Sequence, residues 1–124
     1  MDGIAKEENP TLVKAKLFAR RVVKLYRHLI EVKHELVMSK QLLRSGTSIG
    51  ANLTEARYAQ SRPDFVAKLG IAQKEAAETI YWIELLRDCD YLTDGAASSI
   101  LMDANELIAM IVAAIKKMKR SHDS

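Results

Sequence analysis

The chain has one cysteine, Cys89, in 124 residues. That excludes an intrachain disulfide framework and any cysteine-based metal cluster. Proline is almost as scarce, and both residues, Pro10 and Pro63, stand where a helix can begin. The five glycines stay out of the long periodic runs except for Gly46, Gly50 and Gly70. No stretch reads as a convincing strand, so no Gly-rich strand-to-helix loop is available to cradle a phosphate. Acidic residues are nearly missing between Thr11 and Lys40, where only Glu31 and Glu35 occur. The opening MDGIAKEENP has neither a signal-peptide core nor a transit-peptide character. The apolar stretch from Ile100 to Ile115 is broken by Asp103, Asn105 and Glu106, which argues against a membrane span. These absences lead to the expectation of a cytoplasmic, all-helical protein with no membrane partner.

What is present supports that class. A length of 124 residues suits one domain with one core, and 48% hydrophobic with 28% charged residues is ordinary for a globular chain. Phe18, Val22, Leu25, Leu29, Val32 and Leu36 step by four and three, predicting one long helix that begins at Asn9-Pro10. A turn around Val37–Ser39, with Ser39 as cap, leads into a second helix running to about Ala59. Ser61-Arg62-Pro63 opens a third, with Phe65, Leu69, Ala72, Ala76, Thr79, Ile83 and Leu86 inward. Thr93 or Asp94 caps a fourth, whose stripe is Ala97, Leu101, Ala104, Ile108, Ile111, Ile115 and Met118. The fourth helix is apolar nearly all round, since Ile100, Met102, Leu107, Met110, Val112 and Ala113 occupy other faces. Such a helix hides more than one side, which predicts a subunit interface. The expected architecture is an antiparallel up-down-up-down four-helix bundle over 10–120, with a flexible arm at 1–9 and a tail at 121–124.

The second helix carries the least generic sequence, QLLRSGTSIGANLTEA. Gln41, Arg44, Ser48, Asn52 and Glu55 share about one quarter of its circumference. Gly46 and Gly50 predict the close approach of another backbone, because each costs a helix about 1 kcal/mol relative to Ala. Arg44 and Glu55 lie about 16 Å apart along the axis, so each needs a partner from another helix. The hydroxyls of Ser45, Thr47 and Ser48 fit packing positions that bond back to a carbonyl one turn earlier. A structural role for this polar stripe is favoured over a binding groove.

The net charge is +3 with a pI near 9.0, which permits an acidic partner such as RNA without demanding one. Lys16, Arg20, Lys24 and Arg27 run opposite the apolar seam of the first helix, and Lys116, Lys117, Lys119 and Arg120 cluster near the C-terminus. Both sets are candidate nucleic-acid contacts. Glu31-x-x-His34 is one half of a carboxylate-bridged di-metal signature, but its second half is missing. His28 reads as a surface residue, His122 falls in the tail, and Cys89 reads as an inert thiol. No nucleophile–base spacing emerges. The sequence therefore predicts no enzyme, no cofactor and no metal.

Taken together, QLLRSGTSIGANLTEA and SRPDFVAKLGIAQKEAAETIYWIELL resemble the four-helix-bundle family named for proteins encoded in intervening sequences of bacterial 23S rRNA genes. The resemblance runs from about Leu17 to Leu92 and is strongest over Gln41–Leu86. Arg44, Ser48, Ile49, Asn52 and Glu55 match its second-helix pattern. Phe65, Lys68, Ala72, Lys74, Glu75, Glu78 and Trp82 match its third. Glu55-Ala56 stands where many relatives carry Glu-Gly. The resemblance implies a homo-oligomer, a pentameric ring above all, with no established catalytic activity. The similar fold of the accessory protein of diversity-generating retroelements implies nucleic acid or a nucleoprotein as a partner. The expected function is thus a non-enzymatic oligomeric bundle binding RNA through basic surface, with a protein-interaction scaffold as the alternative.

Overall fold

The computed structural model describes residues 9–123. The expected arm, apart from Asn9, and the last residue of the expected tail lie outside them. Four helices account for nearly all of the described chain: α1 Pro10–Glu31, α2 Met38–Ala56, α3 Arg62–Asp88 and α4 Asp94–Asp123. No strand occurs among the described residues.

Local chemistry sets most of the helix ends. Asn9 Oδ1 accepts hydrogen bonds from the backbone N–H of Thr11 (2.9 Å) and Leu12 (3.2 Å), so α1 starts with its exposed donors satisfied. Ser61 and Asp64 cap α3 reciprocally. The Asp64 N–H donates to Ser61 Oγ at 3.1 Å, and the Gln60 N–H donates to Asp64 Oδ2 at 3.2 Å. At the other end of α3, Asp90 adopts φ 69, letting Tyr91 N–H reach Leu86 O at 2.9 Å and close the helix. Thr93 Oγ1 receives the Ala96 N–H at 3.1 Å and caps α4.

Three sequence expectations need correction. α1 ends at Glu31, so Val32 and Leu36 are not part of its inward seam and stand 60% and 62% exposed. The cause is Glu35: its carboxylate receives the backbone N–H of Val37 (3.2 Å), Met38 (3.1 Å) and Ser39 (2.7 Å). A turn with His34 at φ 57 brings it there. Glu35, not Ser39, therefore caps α2. Ser39 is buried inside the helix, donating from Oγ to Glu35 O at 2.7 Å. Finally, α2 stops at Ala56, because the N–H groups of Arg57, Tyr58 and Ala59 turn back onto carbonyls three residues earlier at 3.0–3.2 Å.

The core lies between the four helices. Phe18, Val22 and Leu29 of α1 meet Leu42, Ile49 and Leu53 of α2, and Ile83 and Leu86 of α3 close it with Ile100, Leu107 and Ile111 of α4. The inward stripe of α4 thus includes Ile100 and Leu107, while Leu101, Ile108 and Ile115 sit half-buried on its flank. A helix apolar over most of its circumference gives a wheel no unique inward direction, and packing between α1 and α3 chooses it. Backbone contact is confined to helices adjacent in chain order and to α4 against α1.

The two glycines of α2 differ. A Cβ at Gly46 would fall 2.7 Å and 2.8 Å from the two γ-carbons of Val22, so this position needs glycine. A Cβ at Gly50 would rest 3.7 Å from Ala15 Cβ, an ordinary contact. Gly46 is crowded by a side chain, and the expected approach of another backbone is at Gly50, where Ala15 C and O would lie 3.9 Å from an added Cβ.

Candidate functional site: two polar surfaces

The polar stripe of α2 faces the polar stripe of α3. Arg44 Nη2 pairs with Glu78 Oε2, Arg44 Nη1 lies 3.3 Å from Glu75 Oε1, and Arg44 Nε donates to Gln41 Oε1 at 3.1 Å. Trp82 Nε1 donates to the same Glu78 oxygen at 2.9 Å, which fixes that carboxylate against the indole. Further along, Glu55 pairs with Lys68 at 2.8 Å. The hydrogen bond and charge of Glu55 raise the Lys68 ammonium above its ordinary pKa. Ser48 donates to Arg44 O at 2.7 Å and Asn52 to Ser48 O at 2.9 Å, so both hydrogen-bond back to their own helix. Beneath the stripe, the buried hydroxyls of Ser45 and Thr79 meet across the seam at 2.9 Å. Lys74 lies exposed outside this network. The arrangement pairs charges and satisfies donors. It aligns α2 with α3 and leaves no nucleophile beside a free base.

The outer surface of α1 is of another kind. Lys16, Arg20, Lys24 and Arg27 are all exposed, at steps of four, four and three residues. They border a shallow depression of about 850 Å³ with Leu17, Ala19 and Val23 between them. Among the described residues, no carboxylate forms an ion pair with any of the four. Two other cations of α1 are committed elsewhere. Lys14 Nζ lies 2.7 Å from Glu106 and 3.7 Å from Asp103 of α4. Its hydrogen bond to Glu106 raises its pKa against the opposing effect of burial. Arg21 pairs with Asp103 at 2.6 Å and donates to Ser99 O and Oγ at 3.3 and 3.0 Å. Sequence alone missed this division, because it depends on which side of α1 receives α4. A smaller groove between α1 and α2 holds Lys16, Ala19, Thr47, Gly50, Ala51 and Arg57, adding one cation that the sequence reading passed over.

The second basic cluster stands apart. Lys116, Lys117, Lys119 and Arg120 are exposed. Lys116 lies about 15 Å along α4 from Glu106, the partner of Lys14. Glu31 and His34 are exposed at the end of α1 and in the following turn, and Cys89 is exposed at the end of α3. Among the described residues, no group of three His, Cys, Asp or Glu side chains gathers to hold a metal ion.

α4 has one further property. Its Asp94–Arg120 span is long and apolar enough to cross a membrane by length and composition, in spite of Asp103 and Glu106. Only 22% of its most apolar window is buried, and Met102 is 64% exposed.

No curated protein matches the chain. A solved structure does: a protein of unknown function from the S23 ribosomal protein family of Bacteroides thetaiotaomicron VPI-5482. It is 51% identical, with a TM-score of 0.86, over 87% of this chain and 96% of that one. Residues 7–113 match the family described as 23S rRNA-intervening sequence protein, which includes both polar stripes and the basic row of α1. The chain belongs to the 23S rRNA-intervening sequence protein family.

Proposed function

We propose that the protein is a non-enzymatic, antiparallel up-down-up-down bundle that assembles into a homo-oligomer and binds RNA through the basic row of α1. The antiparallel reading is supported by three seams. Arg44 meets Glu75 and Glu78, while Glu55, later in α2, meets Lys68, earlier in α3. Gly46 lies by Val22 and Gly50 by Ala15. Arg21 reaches Ser99 and Asp103, while Lys14 reaches Asp103 and Glu106.

Assembly is supported by the outward face of α4, where Met102, Ala109 and Ala113 are exposed. Asp103 and Glu106 tie the same helix to α1, which favours a subunit contact over a membrane span. The pentameric ring implied by the family resemblance would set several +3 chains side by side, turning a modest charge into a substantial field. A cytoplasmic setting accords with an RNA partner.

One observation carries the RNA reading: among the described residues, Lys16, Arg20, Lys24 and Arg27 have no carboxylate partner while the cations beside them are paired. Four aligned, unneutralised cations are what a phosphate backbone recruits. The second reading, a protein-interaction scaffold, draws on Val32, Leu36 and Val37, exposed by 60%, 62% and 73% at the α1–α2 turn.

Light scattering at low and high salt, with and without bulk RNA, tests the proposal. A stable oligomer that gains mass with RNA only at low salt is expected, and Met102→Asp should reduce it to a folded monomer. An oligomer indifferent to RNA would favour the scaffold. A monomeric wild type would overturn the assembly.

A further inference from the structure

We infer that the ligand of the α1 row is the phosphate backbone of a paired, double-stranded RNA, read without regard to sequence. This rests on the RNA-binding reading and narrows it. The row stands on the rigid surface of one helix and spans about 16 Å between Lys16 and Arg27. Its cations recur at almost every turn, so their positions are fixed relative to one another. A duplex presents phosphates in an equally regular array, and joining two preordered surfaces avoids the entropy of ordering a flexible strand. A single strand would have to be straightened on the protein at its own expense.

The surface between the cations points the same way. Proteins that hold single strands supply aromatic platforms on which unstacked bases lie. Here the gaps are filled by Leu17, Ala19 and Val23, which offer neither a ring nor a hydrogen-bonding group. Phe18 is buried in the core. The exposed tyrosines, Tyr58 at 79% and Tyr81 at 55%, stand on the α2–α3 turn and on α3, and Tyr26 of α1 is half-buried and about 100° round the helix from Arg27. The hydrogen-bonding groups along the row are lysine and arginine cations, each of which can meet a phosphate. Duplex RNA is recognised in this manner, by shape and backbone.

The experiment compares the full-length oligomer binding a duplex RNA of about 20 base pairs with its binding to each separated strand, by fluorescence anisotropy across salt. The duplex is expected to bind at least about tenfold more tightly than either strand, and two duplexes of unrelated sequence to agree within about threefold. Lys24→Glu should reduce the salt slope by about 1 or more per engaged protomer. Tyr58→Ala should leave duplex affinity within about twofold, because no base is stacked. Single strands binding as well as the duplex, or a large loss in Tyr58→Ala, would overturn the inference while leaving RNA binding intact. Failure of duplex and strands alike would remove the RNA reading itself.

Discussion

The α2–α3 seam and the outer face of α1 both carry lysine and arginine, and hold them in opposite electrostatic states. In the seam, Arg44 is shared between Glu75 and Glu78, Lys68 holds Glu55, and Trp82 donates to the same Glu78 oxygen as Arg44. On α1, four cations are exposed and have no acidic partner among the described residues. Between these extremes, Lys14 and Arg21 show that α1 can pair its cations when α4 supplies carboxylates. The difference teaches that a basic residue's role is set by its neighbours in space. A local count of lysines and arginines mixes three populations that the fold separates.

The sharpest way to break this contrast is to reverse the row. Arg20→Glu combined with Lys24→Glu and Arg27→Glu should lower RNA affinity by at least about 100-fold, since each engaged phosphate contact is lost. Thermal stability should hardly change, because these side chains have no intramolecular ion pair among the described residues. Circular dichroism melts beside anisotropy titrations separate the two effects, and a large fall in melting temperature would show that the row is structural.

Glu35 extends the contrast to a polar group whose whole task is internal. Burial pushes its carboxyl upward, but the N–H groups of Ser39, Met38 and Val37 and the Ser39 hydroxyl outweigh that, so its pKa lies below the ordinary value of 4.5. A depressed folded pKa means the stabilisation is present above about pH 4.5 and is lost as pH falls through the lower folded value. Glu35→Ala should cost about 1–3 kcal/mol by stranding three donors. Denaturant melts should also show a flatter acid limb in the variant than in the wild type. An unchanged acid limb would mean that Glu35 does not carry the cap.

The glycines give a smaller, signed test. Gly46→Ala forces Val22 to move and should destabilise by about 1–3 kcal/mol before helix propensity returns part of it. Gly50→Ala has room and should stabilise by about 1 kcal/mol or less. Equal signs in chemical denaturation would contradict the packing described for the α1–α2 seam. Smallest of all, Arg44→Ala should cost about 1 kcal/mol or less, since its guanidinium is roughly half exposed. RNA affinity should stay unchanged, and a loss comparable to the row reversal would place the binding surface in the seam.

Much of this was legible because it is local. Asn9-Pro10 and Ser61-Arg62-Pro63 start helices by chemistry contained in a few residues, and the inward stripes of α1, as far as Leu29, and of α3 follow from periodicity. The cap of α2 was not, because Glu35 reaches its donors only after His34 turns to a positive φ. The inward direction of α4 was hidden by excess: Ile100 and Leu101, or Leu107 and Ile108, are equally apolar neighbours. Of the polar sites, the members of both stripes were visible in the sequence. Their pairing was not, because Arg44 and Glu78 are 34 residues apart and meet through the register of two helices.

The most direct test of the central claim is the salt dependence of RNA affinity for the wild-type oligomer and for the Arg20→Glu, Lys24→Glu and Arg27→Glu variant. The account predicts a steep linear fall of log affinity with log salt for the wild type, and a nearly flat, weak response for the variant at an unchanged oligomer mass. A wild-type affinity that ignores salt, or a variant as steep as the wild type, would contradict it.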